Sequence, residues 1–265
     1  MTVELTDLSV TPDRRKTRVR NCSLWTIATA QGRLLLHTLL LLLLTAGIGH
    51  AEEHSAGYPT MAPLDQYLIA DRNDEIALAR SAAPESIAHE AKVMVLTRHG
   101  YETVAEGKNG FVCVVERGWM APFDNAEFWN PKIRGPICFN PAAARSILPL
   151  TIKRTELVLA GLSKGEIMEK LKAASDQKQL PAFEPGAMSY MMSKQAYLTD
   201  DDGHNLCHLM IYTPLADSAS WGADLPGSPV GFGGQFQGAP EPITVFLVRV
   251  RKWSDGTLAE SAVAK

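Results

Sequence analysis

The chain lacks the short motifs by which many enzymes are read from sequence. It has no Gly-x-Ser-x-Gly elbow, no Ser-x-x-Lys with its companion motifs, no phosphate-cradling glycine loop and no zinc-protease helix. Gly227-Ser228-Pro229 lacks the flanking strand and helix that a nucleophilic serine needs. There is no internal repeat. Beyond residue 51 no run of lysine and arginine occurs, so nucleic acid is not an expected partner. Cysteine is scarce, at four in 265 residues. A chain of this length can bury a full core without a disulfide framework.

What is present begins with the amino terminus. Arg14, Arg15, Lys16, Arg18, Arg20 and Arg33 precede an apolar stretch that includes six successive leucines, Leu39 to Leu44. Gly49-His50-Ala51 then places small residues where a signal peptidase reads. Residues 1–51 are therefore expected to be a secretory signal with a long basic leader. Leu34 to Leu44 is too short to cross a bilayer comfortably, so no membrane span is expected after cleavage. Residues 52–265 are expected to form one exported domain, periplasmic or secreted, with 256–265 a loose tail. The leader holds six basic and three acidic side chains, which leaves 20 basic and 26 acidic in the remainder, a net charge of −6. Cys113, Cys138 and Cys207 remain in an oxidising compartment. A Cys113–Cys138 bridge is plausible, although spacing alone does not choose the pair.

Helices are expected over 70–83, where Asp71 or Asn73 can cap and Pro84 terminates. A second is expected over 141–147 behind an Asn140 cap. A third spans 163–175, where Ser163 and Glu166 form a capping box. Val93 to Leu96 reads as a strand covered on both faces. Asn109-Gly110 is the strongest hairpin signal, which pairs Glu106 with Phe111 and Val104 with Cys113 and buries Cys113. Residues 118–149 carry five prolines and several aromatics and read as a long pinned loop. Residues 187–213 read as a hairpin around Asp200-Asp201-Asp202-Gly203. Residues 214–242, with five prolines and six glycines, read as a second long loop, and Ile243 to Arg251 as a strand. Strands and helices do not alternate regularly. The expected fold is α+β: a mostly antiparallel sheet, a few packed helices and long Pro/Gly/aromatic loops.

Leu96-Thr97-Arg98-His99-Gly100-Tyr101-Glu102-Thr103 resembles the phosphohistidine motif of the histidine phosphatase and phosphoglycerate mutase superfamily. The resemblance covers about 3% of the chain, eight of 265 residues. It implies His99 as a phosphoryl-accepting nucleophile, Arg98 as a phosphate ligand, and His204 or His208 as the second histidine. The sequence departs from that family in two respects. Its motif runs into a hairpin rather than a loop and helix, and the late histidines lack the family's glycine-rich context.

His204 and His208, four apart, would share a metal on a helix, but on a strand they lie about 13 Å apart. A metal-dependent enzyme using His208 is thus a further alternative, and neither a metal ion nor a cofactor is expected. A four-residue turn at 200–203 gathers Ser193, Gln195, Tyr197 and His208 on one ribbon face, a partly polar patch for a small ligand. Trp119, Trp129 and Trp221 fall in loops, where indoles either stack on ligands or pin loops to the body. The leading reading is a non-catalytic binding or accessory module for a small molecule, a glycan or a protein partner.

Overall fold

The computed structural model describes residues 57–201, 205–235 and 243–259. The leader, His204 and the end of the tail lie outside the described residues.

The fold is α+β, with a mixed eight-stranded sheet that is mostly antiparallel. The strands are β1 (Lys92–Thr97), β2 (Gly100–Ala105), β3 (Val112–Glu116), β4 (Gly135–Phe139), β5 (Met188–Met191), β6 (His208–Pro214), β7 (Val230–Gln235) and β8 (Ile243–Arg249). They are ordered β2-β1-β3-β4-β5-β6-β8-β7. Among the described strands only β1 and β3 pair in parallel. Helices α1 (Arg72–Arg80) and α2 (Glu85–Ala88) cover one face. Helices α3 (Pro141–Ser146) and α4 (Leu148–Leu159) cover the other, and α5 (Lys164–Asp176) packs on α4.

Two covered faces explain the apolar run of β3. Cys113 and Val115 point into a layer of small residues from α1 and α2, while Val114 points into the core beneath α3 and α4. Cys113 is buried, and directly opposite it lies Cys138, to which it is disulfide-bonded across neighbouring strands. Cys207 is free and buried.

Three helices begin where their caps place them. Asp71 accepts from Asn73 N–H, Asn140 from Ala143 N–H, and Ser163 and Glu166 satisfy each other's backbone amides.

The strand pairings differ from expectation in two places. The turn between β1 and β2 is the two-residue Arg98-His99 corner, with Thr97 opposite Gly100. Lys108-Asn109 is instead a crossover that carries the chain past the start of β1 to its other side. Lys108 N–H donates to Glu90 O, and the Asn109 amide donates to Ile87 O. A Cβ on Gly107 would lie 2.2 Å from Lys92 N, so only glycine passes there. The pair β5–β6 does form, but in a register that sets Met191 against His208, so the described residues 192–201 and 205–207 lie outside this pairing. Two expected loops also contain strands, β4 within 118–149 and β7 within 214–242.

Candidate functional site

Helix α4 packs against β2 and, across a gap, faces residues of β3, β5, β6 and β8. Strand periodicity aims Tyr212 and Met210 of β6, and Ile243 and Val245 of β8, at the underside of that helix. Helical periodicity aims Leu150, Thr151 and Arg154 back at them. Between the two lies a cavity of about 220 Å³. An adjoining cavity of about 580 Å³ shares Ile147, Leu150 and Ile243 and continues past Leu180 and Phe183 to the exposed Lys178.

The polar groups lining the smaller cavity include Glu116 at the end of β3, Thr151 and Arg154 of α4, Tyr212 of β6, and Arg117 and Glu127. Thr151 hydroxyl donates to Glu116 Oε1 at 3.4 Å. The Arg154 guanidinium is buried, donates to Ala121 O at 2.7 Å and lies 4.0 Å from the Phe123 ring centre. Tyr212 shares a 3.0 Å hydrogen bond with the Ser189 hydroxyl. Burial, followed by the nearby Glu116 carboxylate, raises the Tyr212 pKa well above its usual value, so the phenol stays a hydroxyl at neutral pH. The chamber thus has an apolar wall and a set of hydrogen-bonding groups that include a donor, an acceptor and charges of both signs. Such an arrangement orients a small molecule.

None of the sequence-derived candidates among the described residues lines this chamber. Arg98 and His99 form the exposed β1–β2 turn, and Arg98 pairs with Asp65. His99 N–H donates to Thr97 Oγ1. His208 starts β6, four strand spacings from β1, so the two histidines are separated by at least about 19 Å. His208 is buried, and its Nδ1–H donates to Leu206 O at 2.7 Å. Burial, then Arg249 opposite it, lowers its pKa against the opposing pull of the Leu206 carbonyl. Among the described residues no group of three or more His, Cys, Asp or Glu is placed to hold a metal.

The ribbon face expected to join Ser193, Gln195, Tyr197 and His208 does not form, because the β5–β6 pairing ends at Met191 and His208, short of Ser193, Gln195 and Tyr197. Ser193 Oγ is buried against Ser81 Oγ at 2.6 Å. Gln195 is exposed, and Tyr197 exchanges backbone hydrogen bonds with Arg134. Trp119 and Trp129 are buried in the core and offer no ring face to a ligand. Trp119 Nε1–H donates to Thr155 Oγ1 at 3.1 Å. Trp221 is 40% exposed, with its ring stacked on Phe246.

Two polar constellations escaped the sequence reading. Glu75 and Arg117 form a fully buried pair at 2.9 Å, and Arg117 also donates to Tyr67 O and Val115 O. Asp200 accepts from the Tyr58 and Tyr197 hydroxyls, Lys132 and Asn130. Burial works to raise the Asp200 pKa, but these donors outweigh it and hold the carboxyl far below its usual range. Both sets join segments distant in sequence, a relation that local spacing does not encode.

Compared with protein-family models, with curated proteins and with solved structures, the chain matches none of them. No helix among the described residues is long and apolar enough to cross a membrane.

Proposed function

We propose that the chain is an exported, non-catalytic binding module that holds a small molecule between α4 and the sheet. The observation carrying this reading is the pair of adjoining cavities, which share the Ile147–Leu150–Ile243 wall and have Glu116, Thr151 and Arg154 in the smaller one. Their combined size suits a small ligand rather than a macromolecule. Export is supported by the leader pattern of residues 1–51 and by the Cys113–Cys138 disulfide. The binding groups are held by a helix and four strands, which fixes their geometry before a ligand arrives.

The test is capture of an environment-sensitive apolar dye by the folded protein, beside Leu150→Trp, which fills the shared wall. Near-stoichiometric capture is expected from the unsubstituted chain. The Leu150→Trp variant, folded by circular dichroism, should bind at least tenfold more weakly. Equal capture by both proteins, or by neither, would remove the basis for the reading.

A further inference from the structure

We infer that the cavity selects an uncharged amphiphile, with an apolar body in the larger chamber and a hydroxyl or amide end at Glu116, Thr151 and Arg154. The inference rests on the binding reading above and adds the class of ligand.

Charge balance carries it. The charged side chains facing the smaller cavity are Glu116, Glu127, Arg117 and Arg154, two of each sign. Arg117 is matched by Glu75 behind it. The Glu127 carboxylate accepts from Asn130, from Thr199 Oγ1 and from Asp200 N–H. With Arg117 engaged by Glu75 and the Glu127 carboxylate by its three donors, Glu116 and Arg154 are left to face the chamber as one charge of each sign, so an entering ion would shed its water for no net counter-charge, which makes its burial costly. A neutral hydroxyl carries no such cost. It donates to a carboxylate or to the Thr151 hydroxyl oxygen and accepts from a guanidinium, and all three groups line the chamber. Thr151 and Arg154, three residues apart on α4, face the cavity from one side, and Glu116 reaches Thr151 from the sheet. Leu180, Phe183 and Ile243 then give the larger chamber its apolar walls.

Lys178 is the competing feature. It lines the larger chamber, is exposed, and would favour a carboxylate held at the rim instead.

Calorimetric titration of the protein at neutral pH with octanol, octanoate and octylamine separates these possibilities. Octanol is expected to bind at least tenfold more tightly than either ion, and Thr151→Val, folded by circular dichroism, should weaken octanol severalfold. Octanoate binding as tightly as octanol, with the gain lost in Lys178→Ala, would place the polar end at the rim and overturn the inference. Octylamine binding as tightly would overturn it through a net negative chamber. If none of the three binds while the dye is captured, the ligand class is wrong and the binding reading survives. If the dye also fails, both fall together.

Discussion

Replacing Glu75 with glutamine would strand the guanidinium of Arg117 inside the fold. Both side chains are buried, and Glu75 Oε1 also accepts from Leu96 N–H. Removing one member of such a pair costs about 3–5 kcal/mol, because the remaining charge stays desolvated without its partner. Glu75→Gln should therefore lower the denaturant midpoint steeply, whereas Glu75→Leu with Arg117→Met should recover much of the loss. His208 makes a different prediction at this scale. Its folded pKa lies below the ordinary imidazole value, so in the intervening range the unfolded chain binds a proton that the fold refuses. The stability it contributes is complete above about pH 6.5 and is lost as pH falls through the depressed value. Unfolding measured from pH 8 down to pH 5 should show this fall, and it should be flatter in His208→Phe. A slope unchanged by that substitution would assign the proton uptake to other groups.

At the scale of single elements, stability follows local chemistry that is readable in the sequence. Ser163→Ala removes one half of the α5 capping box and should cost about 1 kcal/mol in thermal unfolding, with the sheet otherwise unchanged. The helices with side-chain caps, α1, α3 and α5, were legible for this reason. Helix α4 was not. It has no side-chain cap, and Pro149, which reads as a loop residue, occupies its first turn, where a missing N–H is harmless. Its inward face also carries Thr151, Arg154 and Thr155, so the apolar stripe that marks a buried helix is interrupted. The residues that hid the helix from periodicity include two that furnish the cavity. Strand β7 was hidden by its glycines and β4 by Gly135-Pro136, residue types that usually mark turns.

At the scale of the whole molecule, the class of fold was legible and the arrangement was not. Composition and irregular element order point to an α+β sheet, but nothing local says that β1 lies between β2 and β3. The Asn109-Gly110 signal, a sound hairpin marker in isolation, serves a crossover here because Gly107 slips past the backbone of β1. The cavity is a property of this larger arrangement. Four strands contribute one or two side chains each and helix α4 three, none of which stands out in its own segment. The eight residues around His99 show the converse, a conspicuous motif placed on an exposed turn at one end of the sheet.

Methionine methyl resonances give the most direct reading of the central claim. Of the nine methionines, Met120, Met191 and Met210 line the smaller cavity, and Met168 on α5 is 38% exposed, away from it. Titration of methyl-labelled protein with octanol should shift the three cavity signals together and leave Met168 in place. Shifts led by Met168, or three cavity signals that stay still at saturating ligand, would contradict a binding site beneath α4.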